Sequence, residues 1–278
     1  MIERVLVGVD GSRAAARAVG LSEMLARRLG ADLHALFVID SSLLPRPTLE
    51  AISGSLGIAP SVSAGAAKAR AGLEALGREL LGQVEASCRQ HGVGCRTEVT
   101  LGRPVGILLE HAVQGTLTVL GRSGTAHEDA DTTGAVVSHL LRAGSTPRLV
   151  VGEHAADPTR IVVGFDDSPS ARAVLHLGAE LAETLAVPLH VVHVARQTRD
   201  PSALPAAEAQ LALFERLVPR FEQHLGAPAS VLAERYGQEP GTVIALGARG
   251  RHRIADRILG TTTEQVHRHS QVTLLVDG

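Results

Sequence analysis

The sequence predicts two tandem α/β domains, each built on a parallel β-sheet that is wound with helices on both faces. Three observations lead to this fold class: an internal repeat, a regular alternation of short apolar runs with helical patterns, and glycine and aspartate residues that directly follow the apolar runs. The chain has 278 residues, of which 45% are hydrophobic, and this is enough to build two cores of ordinary size.

The first strand and helix of the fold occur twice. The segment RVLVGVDGSRAAARAV at 4–19 is repeated as RIVVGFDDSPSARAVL at 160–175, and a second apolar run at 31–40 is repeated at 187–196. Each copy of the first segment joins a β-branched apolar run to an Ala-rich helical pattern. A repeat of this length identifies two copies of one domain.

The later elements are also duplicated, but at a smaller offset. The segment 101–112 matches 225–236, and TVLGRSG at 118–124 matches IALGARG at 244–250. About thirty residues are therefore missing from the second copy, between its second and third strands. The first copy has there a Ser, Pro, Gly and Ala-rich stretch and a helical pattern over 66–90, whereas the second copy has a shorter predicted helix over 205–216.

These repeats predict domains at 1–152 and 159–278, joined by a short polar segment. Each is expected to be a doubly wound, Rossmann-like sheet with the strand order 3-2-1-4-5. The fifth strands fall near 148–152 and 273–277, where an apolar edge needs a partner.

Composition excludes several classes of protein. Lys68 is the only lysine, so a Walker A loop and Schiff-base chemistry are both excluded. A net charge of -2 and 2% aromatic residues argue against a nucleic-acid partner. Cys88 and Cys95 are too few for a disulfide scaffold, and no segment resembles a secretion signal or a membrane span. We therefore expect a cytoplasmic protein that does not associate with membranes.

Glycines with identical spacing follow the fourth strand of each copy. They are Gly121, Gly124 and Gly134 in the first copy and Gly247, Gly250 and Gly260 in the second. Such glycines permit positive φ and allow backbone N–H groups to approach an anion closely. The helix that starts after the third glycine directs its free N–H groups at the same space. The pattern predicts a phosphate site that needs no lysine.

Asp10 and Asp166 end the first strands and should face the same crevice, because ligands of such sheets bind where the strand order reverses. A carboxylate there can accept hydrogen bonds from ribose, and the strand ends near Val38 and Val194 offer backbone groups to a base. Together these groups indicate a nucleotide. A purely structural turn is the alternative for both aspartates, since each precedes a helix start, and the glycines could likewise be turn residues only.

With these motifs, nearly the whole chain resembles a tandem member of the universal stress protein family. The ATP-binding pattern of that family, G-x2-G-x9-G-(S/T), is matched by Gly247, Gly250, Gly260 and Thr261, whereas Ala135 replaces the hydroxyl residue in the first copy. The resemblance implies that ATP, with or without Mg²⁺, is the ligand. It also implies pairing through the fifth strands, as a pseudo-dimer within one chain and as a possible homodimer.

The second copy is predicted to bind ATP more strongly. Its site would include Arg249 and Thr262 beside the motif residues. The loops between the second and third glycines differ in charge: they carry Glu128, Asp129 and Asp131 in the first copy and Arg251, Arg253 and Arg257 in the second. A unit charge about 8 Å from a phosphate is worth roughly 2 kcal/mol at an effective dielectric constant near 20.

The function predicted is that of a non-enzymatic, ATP-binding stress regulator, and no catalytic residues are assigned. Two alternatives remain open: an ATP hydrolase or nucleotidyl transferase that uses the same crevice, and a scaffold that binds no nucleotide. No metal site is expected, because the pairs His190/His193 and His267/His269 lack zincin spacing and no cysteine accompanies them.

Overall fold

A computed structural model describes residues 2–43, 59–124, 134–152, 155–198, 201–248 and 259–277. The elements of the first half are β1 (Arg4–Gly8), α1 (Arg13–Leu29), β2 (Asp32–Asp40), α2 (Ala59–His91), β3 (Cys95–Gly102), α3 (Pro104–His111), β4 (Thr116–Gly121), α4 (Ala135–Ala143) and β5 (Arg148–Val151). The elements of the second half are β6 (Arg160–Gly164), α5 (Pro169–Leu185), β7 (Leu189–Ala195), α6 (Leu204–Leu211), β8 (Arg220–Leu225), α7 (Pro228–Tyr236), β9 (Thr242–Gly247), α8 (Thr261–His269) and β10 (Thr273–Asp277).

All ten strands form one sheet in the order β3-β2-β1-β4-β5-β10-β9-β6-β7-β8. Each half therefore has the predicted order 3-2-1-4-5, and its own strands are parallel. The two fifth strands pair antiparallel at the centre, where Leu149 lies opposite Leu275. The predicted pairing within one chain is confirmed by this ladder.

That central ladder uses up the fifth strands. One edge of β5 pairs with β4 and the other with β10, and β10 is likewise held between β5 and β9. The possible homodimer through the fifth strands stays a prediction, and in this arrangement neither strand has a free edge for it.

Each face of the sheet carries its own core, because alternate residues of a buried strand point to opposite faces. One core combines Val5 and Val7 of β1 with apolar residues of α1, α2, α5 and α6. The other combines Leu6 of β1 with apolar residues of α3, α4, α7 and α8. Both cores run through the two halves. Within the described ranges, no helix is long and apolar enough to cross a membrane.

Two predicted helices differ in length from the structure. The helix expected over 66–90 begins earlier, at Ala59, and spans 33 residues. The helix expected over 205–216 ends at Leu211, the last position with a buried side chain, and Leu213 beyond it is 83% exposed. The apolar pattern continues past Leu211, and Phe214 and Leu217 are partly buried against the core, although they lie outside the helix.

Candidate functional site: two crevices at the carboxyl ends of the strands

The sheet reverses its winding between the first and fourth strand of each half. The helix that follows β1 packs on one face, while the helix that follows β4 packs on the other. The same divergence occurs between β6 and β9. Each half therefore has a crevice at the carboxyl ends of these strands, which is where open α/β sheets bind ligands.

Asp10 and Asp166 end the chain segment that enters the crevice, and each stabilises a turn. The Oδ1 atom of Asp10 accepts a hydrogen bond from the backbone N–H of Ser12 at 2.9 Å. The equivalent bond from Ser168 to Asp166 is 3.0 Å long. The turn role considered for both residues is thus confirmed, but it occupies only one oxygen of the Asp10 carboxylate. A Cβ atom built on Gly124 would lie 3.0 Å from Asp10 Oδ2, so this carboxylate also faces the glycine loop.

The helices that follow these turns supply their own caps. Ser12 accepts a hydrogen bond from the N–H of Ala15 at 3.1 Å, and Ser168 accepts one from Ala171 at 3.2 Å. The Ser12 hydroxyl also donates to the carbonyl of Ser123 at 3.4 Å, which links the start of α1 to the first glycine loop. The N-termini of α1 and α5 are therefore capped by their own side chains, unlike those of α4 and α8.

The first motif glycine of each half is required by close packing rather than by its backbone angles. A Cβ on Gly121 would lie 2.5 Å from the carbonyl carbon of Ala14 and 2.7 Å from the nitrogen of Ala15. A Cβ on Gly247 would lie 2.9 Å from the nitrogen of Ala171. The end of the fourth strand thus touches the first turn of the helix after the first strand, which brings the glycine loop beside the aspartate turn.

The described motif glycines do not use the positive φ that glycine permits. Gly121, Gly124 and Gly247 are not among the residues with positive φ, and Gly134 and Gly260 have φ values of -58° and -59°. At Gly121 and Gly247 the strand end passes close to backbone atoms of another element, and the missing side chain supplies that room.

The third glycine closes the loop and begins the last helix. The N–H of Gly134 donates to the carbonyl of Arg122 at 3.1 Å, and that of Gly260 donates to Ala248 at 2.8 Å. Both glycines are N-cap residues that provide no side-chain hydrogen bond to α4 or α8. Among the residues that the structure describes, no side chain caps these helices, so their first-turn N–H groups and positive dipole ends can face an anion.

The threonines that begin α8 have different environments. Thr261 is exposed and Thr262 is half-buried, whereas Thr263 is buried and donates from its hydroxyl to the carbonyl of Gly247 at 2.8 Å. Thr263 thus fixes the helix start against the end of β9. Thr261 is thus an exposed hydroxyl residue at the first position of α8, and in the first half the corresponding Ala135 has no hydroxyl.

Val38 and Val194 present their backbones to the crevices. The N–H of Val9 donates to the carbonyl of Leu36 at 2.9 Å where β1 ends, and Phe165 donates to Val192 at 2.9 Å where β6 ends. Alternate residues of a strand direct their backbone groups to the same neighbour. The backbone groups of Val38 and Val194, two positions further on, therefore point past the ends of β1 and β6.

Several predicted residues lie outside the described part of the chain. They are Arg249 and Gly250 of the second glycine motif and the charged residues Glu128, Asp129, Asp131, Arg251, Arg253 and Arg257 of the two loops. In the first half, Asp10 faces Gly124, and a Cβ on Gly134 would lie 3.8 Å from the backbone nitrogen of Gly124. The assignment of these residues to a nucleotide site stays a prediction. The ranking of the two sites by loop charge remains a prediction.

Arg122 was missed by the sequence analysis. It lies between the first and second glycines of the first half, is only 8% exposed, and donates to the carbonyls of His267, Ser270 and Arg268, the last at 3.1 Å. A cation at a helix C-terminus stabilises the helix dipole and pairs its free carbonyls. The one available signal was a contrast in the repeat, since the second copy has Ala248 at this position.

These crevices belong to a protein of two α/β domains joined edge to edge, each with an uncapped helix start at the switch point of its sheet. The model of the universal stress protein family matches residues 1–152 and 158–277, and the chain belongs to that family.

Known relatives agree with this assignment. The chain is 25% identical over 288 residues to universal stress protein Slr1230 of Synechocystis, and the match covers 99% of both chains. It is 26% identical over 201 residues to universal stress protein Rv2005c of Mycobacterium tuberculosis, covering 65% of this chain and 68% of that one. The crystal structure of a universal stress protein from Archaeoglobus fulgidus has the same fold, with a TM-score of 0.73, 18% identity and coverage of 99% and 98%.

Proposed function

We propose that this protein binds ATP at its carboxyl-edge crevices and acts as a nucleotide-dependent regulator of the stress response. The observation that carries the proposal is the uncapped start of α4 and of α8, each placed at a switch point beside an aspartate. Unpaired N–H groups at a helix start favour a phosphate in that place, because water or an anion must satisfy them. Membership of the universal stress protein family is consistent with this role.

The groups of the second crevice fit the three parts of the nucleotide. The first-turn N–H groups of α8 and the hydroxyl of Thr261 would hold phosphate, the carboxylate of Asp166 would accept from ribose, and the backbone of Val194 would meet the base. Mg²⁺ would accompany the triphosphate and lower its charge. Binding would order the glycine loop and shift the population of a surface that a partner protein recognises.

The second crevice is proposed to be the stronger site. It has the hydroxyl of Thr261 where the first crevice has Ala135, and its loop carries arginines where the first loop carries carboxylates. We therefore expect protein purified without added ligand to contain one adenine nucleotide per chain. Two nucleotides per chain would contradict the ranking, and a nucleotide-free protein that does not bind ATP on titration would contradict the proposal.

Gly260→Asp tests the second site without threatening the fold. The φ and ψ of Gly260, -59° and 139°, suit an N-cap residue, and aspartate is a favourable N-cap. Its carboxylate would take the N–H groups that we assign to phosphate and would repel the anion. We expect ATP affinity, measured by calorimetric titration, to fall at least tenfold while the thermal midpoint is unchanged or higher.

Gly134→Asp is the matched control in the first half. A Cβ there would contact its nearest atoms at 3.6 Å and 3.8 Å, which is ordinary van der Waals distance. We expect this variant to retain the strong site. The ranking is wrong if Gly134→Asp abolishes ATP binding and Gly260→Asp does not.

An ATP turnover assay separates the regulator from the hydrolase. A regulator predicts no turnover or very slow turnover by the parent protein. Turnover at enzymatic rates that disappears in Gly260→Asp would instead favour the ATP hydrolase considered above.

A further inference from the structure

Three potential metal ligands meet on the outer part of the first half, away from the carboxyl-edge crevice. His34 lies near the amino end of β2, Glu98 lies on the edge strand β3, and His111 ends α3. The strand register places His34 beside Arg96 and Leu36 beside Glu98, so His34 and Glu98 share one face of the sheet. Helix α3 packs on that face and brings His111 to the same place.

The spacing of the three ligand atoms is that of a metal site. Glu98 Oε2 is 3.5 Å from His34 Nε2 and 3.6 Å from His111 Nε2, and all three atoms lie within 4.8 Å of one another. Ligands bound at about 2.0–2.2 Å in a tetrahedron are roughly 3.3–3.6 Å apart. A small inward movement of His34 and His111 would therefore complete three corners of a tetrahedron.

The orientation of His111 is fixed by a second contact. Its Nδ1 atom lies 2.9 Å from the carbonyl oxygen of Ile107, and since a carbonyl can only accept, Nδ1 is the donor. The neutral ring then has its lone pair on Nε2, which faces Glu98. Metal-binding histidines usually have such a contact to the outer nitrogen.

The Nε2 atom of His34 is buried, and its only contact with a described carboxylate is the long one to Glu98. The side chain is 5% exposed, and this atom makes no hydrogen bond with any residue that the structure describes. A buried polar atom without a partner is costly, and most such atoms in folded proteins are paired. A cation between His34, Glu98 and His111 would satisfy it.

In the corresponding cluster of the second half, a tyrosine hydroxyl donates a hydrogen bond to the carboxylate. His190 and Glu222 occupy the positions of His34 and Glu98, but Glu222 Oε2 accepts from the hydroxyl of Tyr236 at 2.9 Å. In the first half, Glu98 has one described ion-pair partner besides the two histidines. This partner is the guanidinium of Arg96 at 3.1 Å, and the Arg96 side chain is 75% exposed. Arg96 can turn into solvent and leave Glu98 to a metal ion, whereas Glu222 would have to give up or share its bond with Tyr236.

We propose that His34, Glu98 and His111 bind a divalent transition-metal ion, with zinc as the ion that best suits two imidazoles and one carboxylate. Three protein ligands leave the fourth position open to water or a small anion. The ion would tie the edge strand β3 to β2 and to the end of α3. The site is independent of the nucleotide crevices, because none of its residues contributes to them.

The test is a zinc competition titration of the full-length protein after treatment with a chelator, with a chromophoric chelator as the reporter. We expect one zinc ion per chain. Glu98→Gln and His111→Gln should each weaken binding at least tenfold, because each removes a ligand while keeping the size of the side chain. The side chain of His111 is 25% exposed, and this variant should therefore fold.

His139→Gln is the matched control. The Nδ1 atom of His139 makes the same type of bond, to the carbonyl of Ala135 at 2.8 Å, but no carboxylate faces its ring among the described residues. We expect its zinc affinity to equal that of the parent. Equal weakening by His139→Gln and His111→Gln would overturn the assignment.

Cys95→Ala and cobalt substitution test whether the thiols are the zinc ligands instead. Cys88 and Cys95 lie near one another and could attract zinc. The proposed site predicts that Cys95→Ala binds zinc like the parent and that bound cobalt shows no thiolate-to-metal absorption. Loss of binding in Cys95→Ala, a thiolate band, or no zinc binding at micromolar concentration would each overturn the proposal.

Discussion

Gly121 has no room for a side chain, because the end of β4 packs against the backbone of the first turn of α1. Replacing it with alanine must displace backbone atoms of Ala14 and Ala15, and such overpacking costs about 1–3 kcal/mol. We therefore expect Gly121→Ala to lower the free energy of unfolding by this amount in a urea titration. Gly20→Ala is the control in α1, the helix that Gly121 contacts. Nothing lies within 4 Å of a Cβ added at Gly20, and loss of a helical glycine should raise stability by roughly 0.5–1 kcal/mol. Similar effects of the two variants would contradict the packing argument.

The sequence located the motif glycines correctly but not what they do. Their spacing showed that they form one loop, whereas the atoms that leave Gly121 without space belong to α1, far away in the chain. Positive φ occurs instead at Gly11, at 84°, and at its counterpart Asp167, at 63°. A local pattern could not identify that shared conformation, because the two copies have different residues there.

His267 makes the stability of α8 dependent on pH. Burial, together with the guanidinium groups of Arg122 and Arg268, lowers the pKa of His267 to about 4 from its ordinary value of 6.5. Between these pH values the unfolded chain binds a proton that the folded chain does not, so this contribution to stability is complete above pH 6.5 and is lost as the pH falls towards 4. The loss is at most about 1.4 kcal/mol per pH unit.

His267→Gln should flatten this dependence. The expected result is a smaller decrease in the free energy of unfolding between pH 7 and pH 4.5, measured by denaturant titration at each pH. His139→Gln, which alters an exposed side chain of α4, should keep the slope of the parent. An unchanged slope in His267→Gln would show that the buried imidazole does not control it.

The starts of the helices that follow the first strand of each half could be predicted from sequence, and the packing between distant elements could not. Asp10 and Asp166 were expected to precede helix starts, and Ser12 and Ser168, two residues further on, are the N-caps in the structure. The cluster of His34, Glu98 and His111 was missed because its members come from three elements and match no motif spacing. The strand register and the end of α3 bring them together, and neither can be derived from the spacing of histidines along the chain.

At the scale of the whole molecule, the two halves resemble each other in fold but differ in how their last helices end. The C-terminus of α4 is held from within its own half, since Arg148 of β5 donates to the carbonyls of Leu140, at 3.1 Å, and Gly144. Leu274 takes the place of Arg148 in the second half. There the C-terminus of α8 is held by Arg122 from the glycine loop of the other half. One crevice loop is thereby joined to the helix that begins at the other crevice.

Arg122→Met tests whether this contact couples the halves. The methionine keeps an apolar stem but leaves the carbonyls of His267 and Ser270 without their charged donor. Hydrogen bonds to charged groups contribute about 1.5–3 kcal/mol, so we expect the backbone amides of α8 to exchange with deuterium at least tenfold faster than in the parent.

Arg142→Met is the control for a second contact between α4 and α8. Arg142 pairs with Glu264 at 3.0 Å, but the Arg142 side chain is 45% exposed. Exposed ion pairs of this kind contribute about 1 kcal/mol or less. Exchange in α8 should therefore change little in Arg142→Met. If both variants accelerate exchange equally, the buried cap is no stronger than a surface ion pair, and the central β5–β10 ladder alone holds the second half against the first.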